Sequence, residues 1–334
     1  MAEKKVLVSG VKPTGRPHIG NYFGAMKQFV ELGNLYESHV FIADLHAITS
    51  LQNGKELSQN SFEVLLDYLA IGLDPKKIAI YKQSDVPQVT ELTWIFNCLI
   101  TMPYLARAHA FKAALGDLTD ATPSQRLLVK KLEQLPEINV GVFEYPLLMA
   151  ADILIQGADV VPVGADQKQH VEIARDVALK FNNTFGETFK LPEALIVDNV
   201  ATVPGTDSRK MSKSYGNTIE LFATDEEIER AVMGIVTDSA GETPENVFKI
   251  HQLLRSKEEL DKLYDANKGK YKVLKEALAE DLKKFIKPMR EKRMALSKDR
   301  KQALSILESG GRQARLRAEK KMEEVRKKVG LTLS

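Results

Sequence analysis

Residues 6–21 read VLVSGVKPTGRPHIGN. Val6–Ser9 is a short apolar run with the length of a buried strand, and Gly10–Arg16 is a loop rich in Gly, Pro and Thr. From Ile19 to Leu32 the apolar residues recur at helical spacing. A strand, a glycine-bearing turn and a helix form the opening unit of an α/β fold. The pattern then repeats. His39–Ala43 reads as a strand, Lys55–Gly72 as a helix and Ile78–Lys82 as a strand. Pro146–Ile155 reads as a helix, Asp159–Val163 as a strand and Gln167–Asn182 as a helix. Such alternation predicts a parallel sheet with helices on both faces. Ligands in sheets of this kind sit beyond the carboxyl ends of the strands.

After Asn182 the character changes. Val203–Asn217 is a polar loop rich in Gly, Ser and Lys, and beyond it the reading is helical: Asp225–Val236, Val247–Arg255, Lys257–Asn267, Tyr271–Leu296 and Arg312–Val329. Residues 1–204 are therefore expected to form a catalytic domain. The loop 205–217 is its junction with a helical domain, 218–334, whose last helix can return to the first domain. Gly116–Glu137 reads as a polar surface insertion.

Three clusters carry chemistry. In the first, Thr14, His18, Gly20 and Asn21 surround the start of the first helix. Its free N–H groups and positive dipole end suit phosphate oxygens, and Gly20 leaves room for a flat base. The loop is neither the dinucleotide fingerprint nor the Walker lysine loop. Taken alone it is also compatible with an ordinary strand–helix turn. In the second, Lys210, Met211, Ser212, Lys213 and Ser214 follow Gly205, Asp207 and Arg209. Two lysines three apart can neutralise charge that grows on a departing phosphate group, although an exposed basic loop looks the same. In the third, Tyr145, Met149 and Asp152 lie at i, i+4 and i+7 on one face of an apolar helix. Val161-Pro-Val-Gly164-Ala165-Asp166-Gln167 then runs off a strand into the next helix. A buried Asp152 needs a donor, which a substrate N–H supplies only when bound; a structural partner is the alternative.

In this order the clusters resemble class I aminoacyl-tRNA synthetases. His18-Ile19-Gly20-Asn21 is similar to their HIGH motif, with Asn for the last His. Lys210–Ser214 is similar to their KMSKS motif at every residue. Asp44–Thr49, Tyr145–Leu154, Val161–His170 and Thr237–Ser239 narrow the resemblance to bacterial tryptophanyl-tRNA synthetases. The likeness is continuous from Val6 to Asp198, resumes through Ser239 and then thins. Lys12 stands where the family usually has Gln, Ala165 where it has an acidic residue, and Gly116–Glu137 is longer. The tyrosyl enzymes carry Gln where Met149 stands, so the apolar, polarisable side chain favours an indole.

The resemblance implies a Rossmann-like doubly wound parallel sheet with a C-terminal helical domain that binds the tRNA anticodon. It implies ATP and Mg²⁺, L-tryptophan and tRNA(Trp), and a homodimer. By the same resemblance ATP meets Lys12, Thr14, His18, Gly20, Asn21, Gly164, Asp166, Lys210, Met211, Ser212 and Lys213. Of these, His18, Asn21, Lys210 and Lys213 are catalytic, and Lys112 assists. Tryptophan meets Val8, Gly10, His46, Tyr145, Met149, Asp152, Val161, Val163 and Gln167. No protein metal site is implied. A tyrosyl enzyme and a non-catalytic tRNA-binding paralogue remain the alternatives.

Composition is compatible with this. With 44% hydrophobic and 28% charged residues the chain is an ordinary globular protein. Cys98 is its single cysteine, which excludes an intrachain disulfide and a Cys-based zinc site. No membrane-spanning run or signal h-region is apparent, so a cytoplasmic location is expected. From Asp281 to Ser334 there are 17 Lys/Arg against 7 Asp/Glu. That segment thus carries +10 of a total of +2, leaving −8 on the rest. A basic end suits a polyanion, though solvated helix faces look alike. Thr93–Ala106, nearly all apolar, is the expected dimer element, with a core helix as the alternative.

Overall fold

The computed structural model describes residues 4–33, 35–108, 139–164, 167–196, 203–237 and 243–333. Five parallel strands, β1 (Val6–Val11), β2 (Glu37–Ile42), β3 (Ile78–Lys82), β4 (Val160–Val163) and β5 (Glu193–Ile196), form one sheet in the order β3-β2-β1-β4-β5. The register runs Val8 to His39 between β1 and β2, and His39 to Ala79 between β2 and β3. The order reverses between β1 and β4, which opens a crevice at their carboxyl ends. The expectation contained no strand after the helix that ends near Asn182. β5 is a four-residue, half-exposed edge strand, and so short a run carries little periodicity.

Helices cover both faces. The chain leaves β1 through Pro13–Pro17, enters α1 (Ile19–Asn21), passes a π-helical segment Tyr22–Met26 and continues as α2 (Lys27–Leu32). After β2 come α3 (Asp44–Ala47) and α4 (Gly54–Ile71), the latter capped by the Asn53 side chain and ended by Gly72. After β3, α5 (Gln88–Leu99) stops at Ile100, whose backbone is extended, and α6 (Met102–Leu105) follows. The apolar stretch Thr93–Ala106 is thus two helices. Phe96 and Leu105 are buried, whereas Trp94 and Met102 are 70% and 68% exposed.

The helix α7 (Val140–Ile155) begins six residues before Pro146, where the sequence predicted its start. Pro at the first helical position is the common pattern. Here Asn139 caps the end, accepting from the Val142 N–H at 3.2 Å, and Pro146 lies inside the helix. α8 (Lys168–Phe185) follows β4. The second half holds α9 (Asp225–Met233), α10 (Glu245–His251), α11 (Lys257–Ala266), α12 (Tyr271–Lys298) and α13 (Arg300–Lys328). Capping boxes, Thr224 with Glu227 and Ser256 with Glu259, start α9 and α11.

The last helix starts twelve residues earlier than the sequence predicted. The pair Gly310-Gly311, within the added stretch, is the point of contact: a Cβ at Gly310 would lie 2.1 Å from the Ile80 carbonyl oxygen of β3. Only glycine lets the two backbones meet this closely. Ile80, Val40 and Leu65 share one apolar cluster with Leu278, Leu282 and Ile286 of α12 and Leu307 of α13. Ion pairs extend the contact, with Arg293 on Asp67 and Glu63, Arg317 on Glu37, and Arg326 on Glu91 and Glu319. Several of the C-terminal cations therefore act in the fold. Among the described residues no helix is long and apolar enough to cross a membrane.

Candidate active site

A cavity of about 490 Å³ opens at the crevice between β1 and β4. Val8, Gly10 and Lys12 reach it from β1 and the loop after it, and His46 reaches it from α3. Tyr145, Met149 and Asp152 come from α7, and Val161, Val163, Gly164 and Gln167 from β4 and the turn beyond. All nine residues assigned from the sequence to tryptophan line this one space, together with Lys12 and Gly164. Its volume lies within the range of small-molecule sites. Val8 and Val161 form apolar walls because alternate strand residues face the same side, and Met149 faces them from α7.

Asp152 is 3% exposed, and it is not left waiting for a ligand. Its Oδ2 accepts from Gln83 Nε2 at 2.7 Å and pairs with His46 Nε2 at 3.1 Å. This corrects the expectation that only a substrate would supply a donor. Burial raises the Asp152 pKa, and the bonds from His46 and Gln83 oppose that shift. Neither bond uses Oδ1. Tyr145 is held in turn: its hydroxyl is 2.9 Å from His170 Nε2, and its ring meets the His46 ring edge-on. The Lys12 ammonium stands 5.6 Å above the same ring. Desolvation lowers the Lys12 pKa.

Beside the cavity, the loop after β1 meets the lysine loop. Ile19 N–H donates to Ile219 O and Leu221 N–H to Pro17 O, both at 2.9 Å, and His18 bridges to Glu220. Lys213 Nζ donates to Thr14 O at 3.0 Å. Met211, 3% exposed, packs under Gly20, where a Cβ would meet its side chain at 3.5 Å and His18 Nδ1 at 2.9 Å. His18 and Asn21 cap each other: Asn21 N–H donates to His18 Nδ1 at 3.2 Å, and His18 N–H to Asn21 Oδ1 at 3.0 Å. The Ile19 and Asn21 N–H groups are thus taken, and Gly20 keeps the helix-start N–H that no described acceptor uses. Burial, with Lys213 nearby, pushes the His18 pKa down to about 4.

Lys210 is not drawn in. Its side chain is exposed, its backbone bridges Pro204, and its carbonyl accepts from Asn217 Nδ2 at 3.2 Å. Ala165, Asp166, Lys112 and the insertion Gly116–Glu137 lie outside the described residues, as do Asp238 and Ser239.

Two residues escaped the sequence reading. Gln83 sits at the carboxyl end of β3, where ligand sites are expected, and that position was the available signal. Asn217, 2% exposed, ties Ser212 N–H (2.8 Å), Asp207 (2.6 Å) and the Lys210 carbonyl into one hairpin. An Asn after a glycine gave no such signal.

The family described as tRNA synthetases class I (W and Y) matches residues 2–301. A tryptophan–tRNA ligase of Fusobacterium nucleatum is 44% identical, the match covering 98% of each chain. The chain belongs to the tryptophanyl-tRNA synthetase family. A synthetase structure of this family from Campylobacter jejuni, complexed with ADP and tryptophan, superposes with a TM-score of 0.84. It is 40% identical over 98% of this chain and 99% of that one. A tyrosyl-tRNA synthetase from Archaeoglobus fulgidus has a TM-score of 0.64 at 19% identity, covering 88% of this chain and 91% of that one, a likeness of fold alone. Family membership removes the tyrosyl alternative that the residues by themselves had left open.

Proposed function

We propose that the protein activates L-tryptophan with ATP to tryptophanyl-adenylate and transfers the tryptophanyl group to the 3′ end of tRNA(Trp), releasing AMP and pyrophosphate. The observation that carries this reading is the cavity itself, an apolar slot ending on the Asp152 carboxylate, with Lys12 of the loop after β1 in its lining. An indole has one polar atom, an N–H donor, which suits the Asp152 Oδ1. Tyr145 and Gln167 hold the amino and carboxylate groups, and His46, Met149, Val161 and Val163 enclose the ring.

In the first step a carboxylate oxygen of tryptophan attacks the α-phosphorus, and the bond to the bridging oxygen of pyrophosphate breaks. The nucleophile is already an anion, so alignment and charge stabilisation are what the chain must supply. His18 fits this role as a neutral ring. Its Nδ1 accepts from Asn21, so its proton is on Nε2 and can be donated to phosphate. The Asn21 amide, the Gly20 N–H, Thr14 and Lys12 are further donors, with Gly164 and Asp166 on the ribose side. Lys213 and Lys210, with Met211 and Ser212 between them, follow the leaving pyrophosphate. Lys213 already faces the loop; Lys210 has to swing in. Among the described residues no cluster of three metal-ligating side chains occurs. Mg²⁺ in this reading enters on ATP, held by phosphates and water.

In the second step the terminal adenosine of tRNA takes the tryptophanyl group. Residues 218–334 bind the anticodon arm, with Lys284, Lys292, Lys298 and Lys301, all exposed, available to its phosphates. We place the reaction in the cytoplasm and in a homodimer. Pyrophosphate exchange run with tryptophan and with tyrosine tests the reading. Exchange that depends on tryptophan is expected; exchange with neither amino acid would leave the non-catalytic tRNA-binding alternative, and preference for tyrosine would overturn the specificity.

A further inference from the structure

We propose that Gln83, which lies behind the cavity, sets its amino-acid specificity by fixing the orientation of the Asp152 carboxylate. This rests on the reading of Asp152 as the indole acceptor. Gln83 opens the 3₁₀ turn Gln83–Asp85 directly after β3 and is 1% exposed. Its Oε1 accepts from the His46 backbone N–H at 3.2 Å. A backbone N–H can only donate, so the amide oxygen must face it, and the Nε2 group then faces Asp152. Nε2 donates to Asp152 Oδ2 at 2.7 Å, and the His46 ring meets the same oxygen from its other side.

The two donors occupy one oxygen. Tilting the carboxylate out of this plane would draw Oδ2 away from both donors and give up both bonds in a buried setting, where an unmade bond is costly. Asp152 is thereby held with Oδ1 in one place. A carboxylate free to turn could also meet a phenol O–H, which lies further along the ring axis. A fixed Oδ1 admits the indole N–H and not that alternative. Gln83 is not among the residues lining the cavity, so it acts through Asp152 as a positioning residue. Its amide also opposes protonation of Asp152, whose proton would turn the acceptor into a donor.

The test uses pyrophosphate exchange with three amino acids: tryptophan, tyrosine and β-(benzothiophen-3-yl)alanine, which keeps the indole shape with sulfur in place of N–H. In Gln83→Met the KM for tryptophan is expected to rise about tenfold. Its kcat and the KM for the sulfur analogue stay within about twofold. The tryptophan-to-tyrosine ratio of kcat/KM falls by a similar factor. Equal rises in KM for tryptophan and the analogue, or no rise for either, would overturn the proposal. Asp152→Asn separates the two readings. If it leaves the tryptophan-to-analogue ratio unchanged, Asp152 is not the indole acceptor. If that ratio collapses in Asp152→Asn but not in Gln83→Met, Asp152 stands and Gln83 is structural. Should Gln83→Met fail to fold, Gln83→Glu keeps the shape. Its acid can donate to Asp152 only while protonated, so its KM for tryptophan should climb with pH where the wild type stays flat. A flat profile in that variant would count against the role.

Discussion

His18 shows how burial decides the protonation state that a phosphate site needs. The ring is 6% exposed and lies close to Lys213, and its pKa is pushed down to about 4. The neutral ring accepts the Asn21 N–H at Nδ1 and carries its proton on Nε2. We expect nitrogen NMR of labelled histidine to find His18 as the Nε2–H tautomer at pH 6, titrating near 4; a titration near the ordinary 6.5 would contradict the geometry. The sign for stability follows, because a folded pKa below the unfolded value means that the unfolded chain takes the proton first. The contribution of His18 is whole above about pH 6.5, declines as pH falls, and is gone below about 4. Lys213 answers a different demand. Its Nζ reaches the Thr14 carbonyl of the phosphate loop and makes no described contact with the amino-acid cavity. Lys213→Ala should lower tryptophan-dependent pyrophosphate exchange about hundredfold, the loss typical of a donor aimed at developing charge. Tryptophan affinity by equilibrium dialysis should stay within about twofold. Equal losses in both would make the loop structural.

Among the elements, α13 makes the most exacting contact. A methyl at Gly310 would meet the Ile80 carbonyl oxygen at 2.1 Å, and a backbone atom cannot turn aside as a side chain can. Gly310→Ala should therefore lift the helix from β3 and destabilise the protein by about 2–3 kcal/mol in urea titration, at the upper end of overpacking costs. Gly54→Ala, at the start of α4 with no atom within 4 Å, should be neutral or stabilising by less than about 1 kcal/mol. A cost as small for Gly310 would mean that the helix and sheet are not in close contact. The same glycine explains where reading the sequence fell short. Local pattern registers the missing propensity of a Gly-Gly pair, whereas its reason lies across the chain in β3. β5 escaped for the opposite reason, being too short and too exposed to show a period. The strands of the cavity and the face shared by Tyr145, Met149 and Asp152 were legible, because the periods 2 and 3.6 state directly which residues face together. Gln83 was not, since its meaning depends on a partner 69 residues away.

At the scale of the whole molecule, the question is what covers the face formed by α3, α5 and α7. A second cavity of about 490 Å³ lies there, lined by Leu45, Ile48, Trp94, Asn97, Tyr145 and Leu148 among others. Trp94 is 70%, Val140 68% and Ile48 47% exposed. Large apolar groups gathered on one face mark an interaction surface more often than a free one, and Trp is the residue most enriched among interface anchors. Tyr145 lines both this cavity and the amino-acid cavity, so a partner seated here would stand next to the substrate. The homodimer that we propose places a second copy on this face. Trp94 is the only tryptophan of the chain, so its own emission reports the event. At micromolar concentration, with no substrate added, sedimentation should give a dimer and the emission should be that of a buried indole. Dilution should shift it to longer wavelength along the same curve that sedimentation follows. Replacing an anchor of this kind typically costs about 2–4 kcal/mol. Trp94→Glu should therefore raise the dimer dissociation constant about 30- to 1000-fold while leaving the melting temperature of the dilute monomer unchanged. A sedimenting monomer at micromolar concentration, with Trp94 emitting as in water, would remove this face from the assembly and leave its exposed apolar side chains for another partner.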